Sequence, residues 1–278
     1  RTVTGVQTCA LPISTVENVI GGALNDTLTG NSLNNTLTGG DGNDTLTGGT
    51  GNDTYLFDAD SALGSDTLIE LAGAGADLLD FSSTTTAAVS IDLSLPGAQI
   101  VNNNLILTLG DGSVFENVTG GALNDTLTGN TLANVLTGGA GNDTLNGGDG
   151  NDTLTGGAGN DSLAGGADND TYAFDADTAL GSDILVEEAG GGTDLLDFSA
   201  TTTLGVSINL DNPALQVLNP NLALTLGSNS AFENVSGSAQ NDLISGNAVA
   251  NVLTGNAGND TINAGAGNDT LTGGAGND

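Results

Sequence analysis

A nine-residue repeat constrains this chain more than any other feature. It runs in three blocks. The first, 21 to 56, reads GGALNDTLT, GNSLNNTLT, GGDGNDTLT and GGTGNDTYL, and the second, 120 to 173, has six such units. The third, 237 to 278, has five, the last of them cut short at GGAGND. A unit this short cannot bury an apolar face alone, so stability has to come from stacking each unit on its neighbours. Each unit divides into a six-residue turn and a three-residue strand, and side chains alternate faces along a strand. Position eight is therefore the single inward residue, predicting a core column of Leu28, Leu37, Leu46 and Tyr55, of Leu127 through Tyr172, and of Ile244, Leu253, Ile262 and Leu271. The flanking residues are mostly Thr, which suits an exposed strand face.

The turns carry the chemistry. Gly at positions one, two and four permits backbone angles closed to other residues and lets carbonyl groups approach an ion. Asn at position five is expected to tolerate the left-handed region. Asp at position six offers a hard anionic oxygen. Stacked coils repeat every ~4.8 Å, so these Asp residues fall into columns. Two unit charges about 5 Å apart repel by roughly 0.8 kcal/mol in water and roughly 3 kcal/mol at an effective dielectric of 20. The chain has 34 Asp plus Glu against one Lys or Arg, with no His, so nothing in it can neutralise such a column. A compact fold needs an external cation.

A larger repeat lies above the nine-residue one. Residues 48 to 119 align with 165 to 236 at a constant offset of 117, so that Tyr55 matches Tyr172, Phe81 matches Phe198 and Phe115 matches Phe232. The segments between blocks, 57–119 and 174–236, read as β-rich inserts. VSIDL at 89 to 93 and VSINL at 206 to 210 alternate apolar with polar residues, while LILTLG at 105 to 110 and LALTLG at 222 to 227 fit buried strands. Helical spacing is weak and confined to 59–64 and 176–181. The inserts are expected to continue the stack as wider β coils. The organisation is then 14–56 block 1, 57–119 insert 1, 120–173 block 2, 174–236 insert 2 and 237–278 block 3. Residues 1–13 stand apart, because VTGVQTCALPI at 3 to 13 is similar to the translation of a sequencing adapter and is expected to be an artefact, Cys9 included. With the last unit cut short as well, the sequence is expected to be a piece of a longer protein.

The pattern Gly-Gly-x-Gly-Asn-Asp-Thr-Leu-x resembles the GGxGxDxUx nonapeptide of the RTX (repeats-in-toxin), or haemolysin-type calcium-binding, family. That resemblance implies an all-β fold, a right-handed parallel β-roll or β-solenoid with two units per coil and Ca²⁺ held between successive turns. The implied ligands are the carboxylates of Asp44, Asp53, Asp143, Asp152, Asp161, Asp170, Asp260, Asp269 and Asp278. Turn carbonyls would join them at Gly40, Gly42, Gly49, Gly51, Gly139, Gly141, Gly148, Gly150, Gly157 and Gly159. Asp170 is a degraded case, since Asp168 occupies position four of its unit. The family also implies secretion to the extracellular space or cell surface through a type I secretion system, by a C-terminal signal lying beyond this sequence.

Departures from the motif are ordered. The first unit of each block keeps Asp26, Asp125 or Asp242 but has Leu24, Leu123 or Gln240 where the third Gly belongs, and the second unit has Asn35, Asn134 or Asn251 in place of the ligand. Weak or absent calcium is expected in the first coil of each block. Outside the blocks, Asp58, Asp60 and Asp66, with their copies Asp175, Asp177 and Asp183, are a candidate extra ion site. Glu17, Glu116 and Glu233 read as polar residues closing off a wide coil.

Other functions fit less well. Without His, Lys or a credible Cys there is no triad, zinc site or Schiff base, and no enzyme activity is expected of this segment. Nucleic acid is disfavoured, because phosphate contacts come from Lys and Arg. No apolar run approaches the roughly 20 residues of a membrane span. The alternatives are a calcium-dependent adhesin spacer, an ice- or surface-binding solenoid presenting its Thr ranks, and an accessory region of a secreted hydrolase.

Overall fold

The computed structural model describes residues 2–4 (backbone only), 17–70, 73, 75–111, 114–187, 191–228 and 231–278. Cys9 and nearly all of the adapter-like stretch lie outside these. Among the described residues every regular element is a strand, and the chain divides into two compact units, Arg1–Gly139 and Ala140–Asp278.

Each unit is a parallel β-solenoid. In the first, one stack of paired strands runs Asn18–Ile20, Thr36–Thr38, Thr54–Leu56, Leu78–Asp80, Asn117–Thr119 and Val135–Ala140, and a second runs Thr27–Thr29, Thr45–Thr47, Gly64–Ile69 and Leu105–Leu109. Alternate nine-residue units therefore enter alternate sheets, and Leu28 pairs with Leu46 while Leu37 pairs with Tyr55. The second unit repeats the plan: Leu154 pairs with Tyr172, Leu163 with Leu185, and Ile244 with Ile262. Position eight is fully buried from Leu28 to Tyr172, as are Ile244 and Leu253. Ile262 is only half-buried and Leu271 is 49% exposed, contrary to the expected column. Leu271 lies on the strand Thr270–Ala275, which pairs on one side only, with Val252–Ala257.

The insert strands join the same sheets. Leu78–Asp80 pairs with Thr54–Leu56, and Leu195–Asp197 with Thr171–Ala173. Coils lengthen there, from an 18-residue step between equivalent hydrogen bonds to steps of 22, 24 and 39. A wider coil has more interior to fill, and all eight aromatic residues of the chain, two Tyr and six Phe, are buried at these levels. Phe57 stacks on Phe81 and Phe174 on Phe198, while Tyr55 meets Phe115 and Tyr172 meets Phe232 edge-on. Each insert also carries one antiparallel pair, Gly97–Asn102 with Leu105–Leu109 and Gln216–Asn219 with Leu222–Thr225.

Three expectations need correction. The weak helical spacing at 59–64 and 176–181 belongs to irregular turns: Ala59 and Ala176 donate to the Thr84 and Thr201 hydroxyls, and Leu63 and Leu180 to the Asn104 and Asn221 carbonyls, so these backbone groups bond across the coil rather than along a helix. The strand Leu105–Leu109 is half-buried, with Ile106 facing out, whereas its copy Leu222–Thr225 buries Ala223 at the same point. Position-five Asn does not use the left-handed region, since among the described non-glycine residues only Asp168 and Asn256 have positive φ. Those Asn side chains form ladders instead: Asn25 Oδ1 accepts the Asn43 N–H, and Asn43 Oδ1 the Ser65 N–H.

Candidate metal centre

Position-six carboxylates line up as the repeat spacing requires, and backbone hydrogen bonds fix half of each. Asp44 Oδ1 accepts the Asp26 N–H at 2.7 Å, and Asp53 Oδ1 the Asn35 N–H at 2.7 Å. In the second unit Asp161 Oδ1 accepts from Asp143 at 2.8 Å, Asp170 Oδ1 from Asp152 at 2.8 Å, and Asp260 Oδ1 from Asp242 at 2.9 Å. Each of these five carboxylates thus holds the turn of the preceding coil. The other oxygen, Oδ2, is buried and meets no hydrogen-bond donor at Asp44, Asp53, Asp161, Asp170 and Asp260. A buried anionic oxygen without a partner is costly.

Backbone conformation explains why these oxygens are bare. In the first and second unit of each block, the N–H of position two turns inward and caps the side chain at position six. Gly22 donates to Asp26 Oδ2 at 2.6 Å, Gly121 to Asp125 Oδ2 at 2.5 Å, and Ser238 to Asp242 Oδ2 at 2.7 Å. Asn31, Asn130 and Asn247 likewise donate to Asn35, Asn134 and Asn251. In the full-motif units position two has a positive φ, as at Gly40 (98°), Gly49 (115°), Gly139 (110°), Gly148 (107°) and Gly157 (100°), and no such cap forms at the bare oxygens. Position four follows at Gly42, Gly51, Gly141, Gly150 and Gly159, and Asp168 takes the same left-handed angle at φ 75°. A Cβ on Gly40 would also strike the Gly22 carbonyl of the preceding coil.

Burial raises carboxyl pKa values in the column. Desolvation is the largest cause throughout: it lifts Asp53 to about 6 and Asp170 to about 7, and raises Asp44 and Asp161, against the opposing effect of the backbone N–H each accepts. Asp269 and Asp278 differ from the rest, being half-buried and exposed, although they accept the Asn251 and Asp260 N–H groups in the same register.

The columns run on into the inserts, beyond what the motif shows. Asp66 Oδ1 accepts the Asp44 N–H and Asp77 Oδ1 the Asp53 N–H, followed by Glu116 Oε2 under the Asp77 N–H. Asp183, Asp194 and Glu233 repeat this arrangement. Asp66 thus belongs to a column, whereas Asp60 is half-buried and clamped by the Thr86 and Thr85 N–H groups and the Thr85 hydroxyl, which hold its pKa down. The suggested grouping of Asp58, Asp60 and Asp66 is not formed as one site.

No helix among the described residues is long and apolar enough to cross a membrane. No curated protein matches the chain. The family model for the RTX calcium-binding nonapeptide repeat matches four times, at residues 20–55, 119–154, 146–178 and 245–278. Those repeats are a calcium-binding structural element, and the three repeat blocks of this chain are RTX calcium-binding nonapeptide repeats.

Proposed function

We propose that this chain is a calcium-folded structural segment of a larger exported protein. It stays unfolded where calcium is scarce and becomes ordered outside the cell. The observation carrying this reading is the row of buried, donor-free Oδ2 atoms at Asp44, Asp53, Asp161, Asp170 and Asp260, set in turns whose degenerate counterparts are capped from their own backbone. The residues fit a hard cation. Carboxylate and carbonyl oxygens are the ligand type of Ca²⁺, and Gly at positions two and four leaves the turn carbonyls free of side-chain cover. Asp143 and Asp152, buried in the same ranks, complete the set in block 2, with Asp269 and Asp278 as weaker members in block 3.

Bound calcium would supply the positive charge the chain lacks, and binding to the folded form alone stabilises it by mass action. Extracellular modules bind calcium at about 10⁻⁴ to 10⁻³ M, so millimolar calcium outside a cell suffices to fill such sites. Equilibrium dialysis against calcium, with magnesium as control, tests the assignment. Several ions per chain, bound preferentially over magnesium, are expected. A chain that takes up no calcium at millimolar concentration would overturn it.

A further inference from the structure

Two buried acidic clusters lie where each repeat block passes into its insert, and two of the three residues in each come from outside the nonapeptide motif. In the first unit of the fold, carboxylate oxygens of Asp53, Glu70 and Asp77 lie within 4.8 Å of one another, and in the second those of Asp170, Glu187 and Asp194 do the same. We propose that each cluster is a dedicated calcium site, built by the insert and closed by the tyrosine that replaces the usual leucine at position eight. The inference extends the calcium reading to residues that the motif does not include.

The clusters are more than acidic neighbours. Glu70 is 8% and Glu187 7% exposed, and Asp53, Asp77, Asp170 and Asp194 are 1% exposed each. Asp53 Oδ2 and Glu70 Oε2 have no hydrogen-bond partner in the first cluster, and Asp170 Oδ2, Glu187 Oε2 and Asp194 Oδ2 have none in the second. The other oxygen of each glutamate is committed to fixed donors. Glu187 Oε1 accepts the Tyr172 hydroxyl at 2.9 Å and the Gly166 N–H at 3.1 Å, and the Tyr172 oxygen accepts the Gly165 N–H at 2.6 Å. In the first cluster Glu70 Oε1 accepts the Tyr55 hydroxyl and the Gly48 N–H. Tyr55 and Tyr172 thus orient one oxygen of each glutamate and leave the other facing the two aspartates.

Three buried carboxylates without a basic side chain are mutually repulsive unless a cation joins them. Size favours calcium. Ligands on opposite sides of Ca²⁺, at about 2.3–2.6 Å, are separated by about 5 Å, which accommodates these clusters, whereas Mg²⁺ at about 2.0–2.1 Å demands a tighter octahedron and keeps its waters. Gly48 completes the cradle, because a Cβ there would collide with both Asp53 Oδ2 and Glu70 Oε1.

The tyrosines make the sites separately observable. The chain has two Tyr and no Trp, and each Tyr hydroxyl touches one cluster, so terbium bound as a calcium substitute at these clusters sits directly beside a sensitising tyrosine. Excitation of tyrosine in the full chain is expected to give terbium emission that calcium displaces. Glu70→Gln should remove about half of it and Glu70→Gln/Glu187→Gln nearly all, with terbium affinity at the altered clusters about tenfold weaker or more. Glutamine keeps an acceptor for tyrosine, and circular dichroism in saturating calcium checks that the variants fold. Asp58→Asn removes an exposed charge outside the clusters and should leave the signal intact. Sensitised emission undiminished in the double variant overturns the proposal. So does its absence from the wild-type chain while dialysis still shows calcium bound, which would mean that the clusters hold protons instead. Loss of all calcium binding would instead overturn the reading of the motif turns.

Discussion

At the residue scale the fold turns on one oxygen atom per unit. Asp161 Oδ1 holds the preceding coil through the Asp143 N–H, while Oδ2 is buried and bare. Asp161→Asn keeps the first contact and removes the charge. In chelator the substituted roll is expected to be more stable than wild type, by about 1–3 kcal/mol, the cost of an unsatisfied buried group. In saturating calcium the order reverses; residual β content of the two chains in chelator and their thermal melts in calcium check the two signs. Glycine at position two is equally exacting. Gly166 has φ 113° and faces the Gly148 carbonyl, so Gly166→Ala should cost at least the ~1–2 kcal/mol of a left-handed residue and lower the melting temperature in saturating calcium.

Position-six Asp was legible in the sequence because the nonapeptide fixes its place in every coil. Glu70, Asp77, Glu187 and Asp194 were not, since coil steps of 22 to 39 residues break the nine-residue count that identifies a ligand. Their one signal was the duplication at an offset of 117, which keeps Glu70 as Glu187 and Asp77 as Asp194. The column role of Asp66 and Asp183 was hidden for the same reason. Asn at position five was misjudged because its ladder bond joins coils 18 residues apart, and no local propensity reports on that.

At the scale of elements, three-residue strands draw stability from the column they share. Leu154 is fully buried between neighbouring coils, so Leu154→Ala is expected to cost about 2–5 kcal/mol, whereas Leu271→Ala, on a strand paired on one side, should cost well under that. Calcium-saturated denaturation of both variants makes the comparison. The strands themselves were readable from alternation and β-propensity, including Ser90–Asp92 and Ser207–Asn209. The antiparallel hairpins were not, because their register depends on which edge the wide coil leaves open.

Across the whole molecule, charge governs when the chain can fold, with a formal net charge of −33 at pH 7. Protons and calcium compete for the same buried oxygens. Desolvation raises the metal-free folded-state pKa of Asp53 to about 6, and of Asp66, Glu70, Asp170 and Asp183 to about 7. A raised folded-state pKa means that the folded chain binds protons more tightly than the unfolded one. Their contribution to metal-free stability is therefore fully present below about pH 4 and is lost as pH rises through about 6 to 7. In chelator, β content is expected to grow as pH falls through that window, while the calcium concentration needed for folding rises.

Calcium binding and folding are a single event in this chain if the buried carboxylates act as proposed, and far-UV circular dichroism of residues 14 to 278 during a calcium titration at neutral pH is the decisive test. A coil-like spectrum is expected in chelator, with a cooperative change to β structure at sub-millimolar to millimolar calcium, unmatched by magnesium. A full β spectrum in chelator that calcium leaves unchanged would contradict this coupling and make the solenoid a constitutive scaffold.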